Sequence, residues 1–371
     1  MYDAIVVGAR CAGSPTAMLL VRKGYSVLLV DKANFPSDIM STHFIHFPGV
    51  VRLKRWGLLE RLAATGCPPI EGATLHFGDV AFSPPVPATL PADVPPQTFC
   101  PRRSILDNLL VDAAVEAGAE LRQGFSVTGL LTDGERVTGI RGRHDGRIVE
   151  EEGRIVIGAD GLHSRVAREV NPHEYDTKPS LTFAYYSYWS GVPVDGAQLF
   201  FFDDGGMLAF PTHHDLTCIA VGGPNAQFHE FRKDIEGNFF RTLELAPEFA
   251  RRVRQGTRRE RFTGTADQPN YFRCPYGPGW ALVGDAGYHR DFITGLGITD
   301  AFRDAELLAE AIDRSFSGSM PADEAFAFYE ERRNFFARPL YDVTTQLASG
   351  QNVEPAEFIK FGAALAEMIP A

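Results

Sequence analysis

The chain has 371 residues, 44% of them hydrophobic and 22% charged, and a formal net charge of −11. At about 150 residues per domain this length suggests two domains, or one with a large insertion, and the composition excludes a disordered tail, a collagen-like rod and a disulfide-held miniprotein. The acidic balance argues against nucleic acid as a partner.

Met1–Val7 has neither a positive flank nor a small-residue cleavage site, so no signal peptide is expected. Ala4–Val7 is a short apolar run, a glycine turn follows, Thr16–Lys23 reads as helix, and Tyr25–Val30 is a second apolar run ending at Asp31. That is a βαβ unit, which implies a parallel sheet. Residues 79–101 carry Pro84, Pro85, Pro87, Pro91, Pro95, Pro96 and Pro101. Prolines fit neither a helix interior nor a central strand, so this segment reads as a loop or edge crossing between domains.

Residues 103–118 place Ile105, Leu106, Leu109, Leu110 and Ala113 on one helical face. Strand-like runs follow at Ser126–Leu131, Val137–Arg141 and Arg154–Gly158. The pattern then changes. Leu181, Phe183, Tyr185 and Trp189 alternate with Thr182, Ala184, Tyr186 and Tyr188, ahead of Gln198–Phe202, a turn at Asp203–Gly206, Met207–Phe210 and Thr217–Val221. This reads as an antiparallel meander. A short buried strand at 280–284 and a long helix at 297–315 follow, and the last 50 residues read as mostly helical. No run of 18 apolar residues predicts a transmembrane helix. Cys11, Cys67, Cys100, Cys218 and Cys274 form no CxxC pair and read as reduced thiols of a cytoplasmic protein.

Val6-Val7-Gly8-Ala9-Arg10-Cys11-Ala12-Gly13 ends a strand and opens a helix, and Asp31 closes the next strand 18 residues after Gly13. Gly8 allows the tight turn, and Gly13 lets helix and strand pack closely. The helix N-terminus then offers free N–H groups and partial positive charge to a pyrophosphate, and Asp31 is placed to accept from an adenosine ribose. Arg10 stands where this fingerprint has its second glycine, and it supplies charge instead.

Two further motifs follow apolar strands. One is Gly158-Ala159-Asp160-Gly161-Leu162-His163-Ser164. The other is Gly284-Asp285-Ala286-Gly287-Tyr288-His289, running on to Thr294-Gly295-Leu296-Gly297-Ile298-Thr299-Asp300-Ala301. In order and spacing, the three motifs resemble the para-hydroxybenzoate hydroxylase-like (class A) FAD-dependent monooxygenases over roughly residues 3–340. The resemblance implies that Gly8, Gly13 and Asp31 hold the FAD pyrophosphate and ribose, and that Asp160 serves FAD and nicotinamide. Asp285 meets the ribityl-pyrophosphate region, Gly295, Leu296 and Gly297 face the flavin pyrimidine edge, and Arg103, ahead of Leu106-Asp107, also touches FAD. A helix starting at Gly297 supplies positive potential where a reduced flavin carries negative charge. The family's usual Pro, Gln and Asn are here Phe292, Leu296 and Thr299, and its Arg near the end of the second motif is Ala167.

The expected fold is α/β: a discontinuous parallel-sheet FAD-binding domain of the glutathione reductase type (1–75, 100–175 and 263–330), an antiparallel-sheet substrate domain (76–99 and 176–262) and C-terminal helices (331–371). The expected activity is hydroxylation or epoxidation of an apolar, aromatic or polyketide-like molecule through a flavin C4a-hydroperoxide, with NADPH or NADH as reductant and O₂ as co-substrate. The alternative is an alkene reductase of the geranylgeranyl reductase-like type. A halogenase is disfavoured, because those enzymes resemble a Trp-x-Trp-x-Ile-Pro pattern while Trp56, Trp189 and Trp280 are isolated, and because they need a lysine in the first third of the chain beyond the FAD turn while none lies between Lys54 and Lys178.

Substrate-pocket candidates are His43, Tyr185, Trp189 and Phe292; no catalytic acid or base is assigned. His213 and His214 point to opposite faces of a strand, so no metal site is expected. The basic run Arg251, Arg252, Arg254, Arg258, Arg259 and Arg261 reads as a solvated helix face.

Overall fold

A computed structural model describes residues 1–78, 80–203, 205–350 and 355–369. Asp79 in the proline-rich segment, Asp204 in the expected turn, and residues 351–354 and 370–371 near the C-terminus lie outside the described residues. One sheet runs in the order Tyr276–Gly277, Trp280–Leu282, Arg147–Gly158, Tyr2–Val7, Val27–Val30, Glu120–Arg122. All its neighbours are parallel except the first pair. Ala4–Val7 and Val27–Val30 are buried at every position. Their unbroken apolar runs follow from being covered on both faces.

One cover is built from the helices Gly13–Arg22, Arg103–Ala117 and Gly297–Phe316, whose Ala17, Leu20, Leu106, Leu110, Phe302 and Leu308 share a core with Val6 and Leu29. The other is the hairpin Ser126–Asp133 with Arg136–His144 and the short helix Arg165–Val170, which bury Val137, Ile140 and Val166 against Ile5 and Val156.

The second sheet runs Thr257–Arg258, Thr182–Ser190, Leu216–Pro224, Gly205–Thr212, Ala197–Phe202, Ala73–Phe77, Val80–Phe82. It is antiparallel apart from the pairing of Ala197–Phe202 with Ala73–Phe77. The strand Ala73–Phe77 starts before residue 76, and Thr263–Thr265 pairs with Thr182–Ser190. The fold is thus α/β, a parallel sheet interrupted by an antiparallel one, closed by the helices Ala322–Ala348 and Pro355–Glu367.

The helices Ile235–Leu243 and Pro247–Gln255 cover the outer face of the second sheet. Only the first half of the basic run is a helix face: Arg251, Arg252 and Arg254 lie on Pro247–Gln255, whereas Arg258 ends the strand Thr257–Arg258 and Arg259 and Arg261 follow it. Arg251 pairs with Glu248, Arg254 with Glu244 and Arg258 with Glu236. No helix among the described residues is long and apolar enough to cross a membrane.

Candidate active site

Between the two sheets lies a continuous cavity of about 720 Å³. Its floor is the first strand–turn–helix. Gly8 has φ +102°, and a Cβ there would sit 2.4 Å from the Ala159 carbonyl oxygen; a Cβ on Gly13 would sit 1.7 Å from the Gly8 carbonyl oxygen. Only glycine allows these two approaches. The helix Gly13–Arg22 begins with no capping side chain and no acid in its first turn. The Ser14 and Thr16 N–H groups are taken by the Arg10 and Ala12 carbonyls and Pro15 has none, but no side chain competes with an anion at this end of the helix.

Asp31 accepts from the Ala9 and Ala33 N–H groups, both at 2.7 Å, which fixes its carboxylate at the cavity edge. Arg10 and Arg103 both line the cavity and share the fully buried Asp107. Asp160 accepts from Ser164 Oγ and the Arg165 and Val166 N–H groups, so its carboxylate ties the start of the helix Arg165–Val170 to the cavity rim. Burial raises its pKa.

Burial also raises the pKa of Asp285, opposed by the charges of His289, Arg103 and Arg290. Tyr288 Oη and the Nε and Nη1 atoms of Arg290 are buried without a partner, on two residues that line the same cavity. The remaining Arg290 nitrogen holds Asp300 at 2.5 Å.

Phe292 and Gly297 border the cavity, and a Cβ on Gly297 would meet nothing within 4 Å. Gly13 lies behind Gly8. Gly295 is not at the surface of the cavity: with φ +63° it turns the chain beside Phe44. Leu296 borders the cavity, yet it is buried among Leu340, Leu365 and Met368. That apolar nest accounts for a leucine at a position where the resemblance has glutamine.

The opposite wall corrects one expectation. Tyr185 and Trp189 are not in the cavity; they face outward, Tyr185 stacking on Phe231 at 5.4 Å and Trp189 on Phe239 at 5.2 Å. Successive strand residues point to opposite faces, so the cavity receives Ala184 and Tyr186, joined by Leu208, Phe210, Cys218 and Ala220.

His43 sits just behind this wall, fully buried, with φ +65°. Its Nδ1 is 2.6 Å from the Ser41 carbonyl, and its Nε2 is 2.8 Å from Tyr188 Oη. A carbonyl only accepts, so Nδ1 carries the hydrogen and the Tyr188 hydroxyl donates to Nε2. Burial lowers the His43 pKa to about 3, keeping the ring neutral. His213 is spent on structure, between Thr65 Oγ1 at 2.8 Å and the Arg102 N–H at 3.2 Å.

Comparison with known proteins decides the cofactor class. Residues 1–195, more than half of the chain, match the family described as FAD binding domain. The chain belongs to that family. The residues fit FAD: a glycine cradle beside an uncapped helix start, two arginines at the phosphate turn, and buried donors left without protein partners.

Among curated proteins, digeranylgeranylglycerophospholipid reductase 1 of Methanococcoides burtonii is 27% identical over 347 residues, covering 89% of this chain and 79% of the relative. The 1H-pyrrole-2-carbonyl-[peptidyl-carrier protein] brominase of Pseudoalteromonas luteoviolacea is 24% identical over 332 residues, covering 86% and 79%. Among solved structures, the myxobacterial chondrochloren halogenase CndH superposes with a TM-score of 0.84 at 22% identity, covering 98% of this chain and 90% of that one. PqsL of Pseudomonas aeruginosa in complex with 2-aminobenzoylacetate gives 0.80 at 20% identity, covering 99% of both. These likenesses establish the fold of an FAD-binding oxidoreductase family whose members differ in reaction.

Proposed function

We propose that the protein is an FAD-dependent monooxygenase of the para-hydroxybenzoate hydroxylase-like type, using NADPH or NADH and O₂ to hydroxylate or epoxidise an apolar small molecule. The observation that carries this reading is the continuity of the cavity. The phosphate turn and the Asp285–Gly297 segment open into the same space as an apolar sheet wall. A cofactor and a flat substrate can therefore share one continuous cleft.

Bound FAD would supply the electron transfer from nicotinamide and the oxygen chemistry. The chain's own residues do the rest. The N–H groups after Gly8 bind the pyrophosphate with Arg10 and Arg103 beside them, and Asp31 takes the ribose. Asp285 and Arg290 hold the polar middle of the cofactor, and the start of the helix Gly297–Phe316 sets a positive potential at the flavin edge. Ala184, Leu208, Phe210, Ala220 and Phe292 keep water out, which protects a reactive oxygen donor from wasteful breakdown.

A halogenase reading finds no support in the chamber. Lys32, next to Asp31, is the one lysine among the described lining residues. The alkene-reductase reading is favoured by the curated reductase relatives, and it differs in needing no O₂. Purified protein should carry or take up FAD, and apolar aromatics should stimulate its oxidation of NADPH or NADH. A protein that takes up FAD but oxidises nicotinamide with no ligand of any class would refute the enzymatic reading.

A further inference from the structure

Apart from Thr265 at its edge, the residues of the second sheet that line the cavity are apolar with one exception. Ala184, Leu208, Phe210, Cys218 and Ala220 surround the single phenol of Tyr186. We propose that Tyr186 is the polar anchor of the substrate site, and that the substrate is a flat, uncharged molecule with one hydroxyl or carbonyl oxygen on an otherwise apolar body. The proposal rests on the reading that this cavity holds FAD and a substrate together.

Three observations carry it. First, the Tyr186 ring is held in place. His43 meets it edge-on at 5.7 Å and 82°, and Tyr188 meets it at 5.7 Å and 84°. His43 adopts its left-handed backbone conformation while fully buried, so the surrounding contacts must enforce it. Such strain is retained where a side chain has to be aimed. Second, the hydrogens behind Tyr186 are committed. Tyr188 is turned to His43 and His43 donates to Ser41, whereas Tyr186, whose hydroxyl sits beside the Ser41 backbone and Tyr188, is the member of this polar group that borders the cavity.

Third, the charges near this wall disfavour an anion. Arg102 stacks 3.8 Å from the centroid of the Tyr188 ring, but its guanidinium is claimed by Glu260 at 2.7 Å and Asp38 at 3.0 Å. The cations that do line the cavity, among them Arg10, Arg103 and Arg290, stand on the cofactor side and are paired with Asp107 or Asp300. A carboxylate lying against Tyr186 would lose its water and gain no counter-charge.

The test uses the FAD-loaded full chain and three probes that share one ring system: 2-naphthol, naphthalene and 2-naphthoate. Binding is followed through the perturbed flavin absorption. In the wild type, 2-naphthol should bind about tenfold more tightly than naphthalene, the worth of one buried hydrogen bond, and 2-naphthoate should bind least. Tyr186→Phe keeps the ring against His43, so FAD content and melting temperature should hold, while the naphthol preference falls to within about twofold. Tyr185→Phe, on the outer face, should leave the preference intact. An unchanged preference in Tyr186→Phe, a naphthoate that binds tightest, or no binding of any probe to FAD-loaded protein would overturn the anchor. Failure to take up FAD at all would instead sink the functional reading on which it stands.

Discussion

Arg10 Nη1 lies 2.5 Å from Asp107 Oδ2, across 97 residues of sequence, and the same carboxylate receives Arg103 through Nε at 2.9 Å and Nη2 at 3.0 Å. The arginine in place of the turn's middle glycine is therefore an anchored side chain. Two guanidiniums on one buried carboxylate leave a net positive corner at the phosphate turn. Asp107→Ala would strand them without a counter-charge, and about 3–5 kcal/mol of stability should be lost in urea unfolding. Arg10→Ala removes the more exposed partner. It should cost under about 1 kcal/mol of stability but weaken FAD binding roughly tenfold in a fluorescence titration, as loss of a charge-assisted contact would.

Gly13→Val should abolish FAD retention. Its Cβ would overlap the Gly8 carbonyl, and the turn that presents the N–H groups would have to open. Flavin absorbance per protein in the purified variant reports this directly, and a normal ratio would refute the role assigned to the turn. Overpacking of about 1–3 kcal/mol should accompany the loss.

Asp285 is held beside His289, Arg103 and Arg290 by charge. Asp285→Ala should weaken FAD binding or turnover, with Kd for FAD rising about tenfold as the cofactor loses one hydrogen-bond acceptor. Wild-type values for both would mean that the third motif has another role.

His43 gives a pH test with a fixed sign. Its folded pKa lies near 3, below the ordinary 6.5. The neutral ring therefore contributes stability that is complete above pH 6.5 and is lost as pH falls from there towards 3. Asn tolerates the positive φ. His43→Asn should flatten the dependence of unfolding free energy on pH by about 1.4 kcal/mol per unit between roughly pH 6 and pH 4. His46 and His213, both lowered to about 4 by burial, keep their share of the slope in the variant. Superimposable slopes would show that His43 is not buried neutral.

The βαβ unit at residues 1–31 was legible because its strands are continuous apolar runs and Gly13 is demanded by the nearby Gly8 carbonyl, although what demands Gly8 is Ala159, far along the chain. The antiparallel sheet was legible from alternation, but its orientation was not. Both faces of Thr182–Ser190 are covered, so Phe183, Tyr185 and Trp189 look no different in sequence from Tyr186 and Tyr188. The helices Ile235–Leu243 and Pro247–Gln255 decide which face is outer, and their placement is a tertiary fact. The shared Asp107, the orphaned donors of Tyr288 and Arg290, and the apolar nest around Leu296 likewise depend on partners distant in sequence. In sequence, Asp107 showed only as half of the Leu106-Asp107 pair, and Arg290 as a charge between His289 and Asp291.

The most direct test of the central claim is parallel measurement of NADPH or NADH oxidation, O₂ uptake and product mass. FAD-loaded protein would meet phenols, indoles and polycyclic aromatics. Ligand-stimulated oxidation with matching O₂ uptake and a product heavier by one oxygen atom is the expected result. Oxidation that proceeds without O₂ and yields a product heavier by two hydrogens would contradict the monooxygenase and establish the alkene reductase in its place.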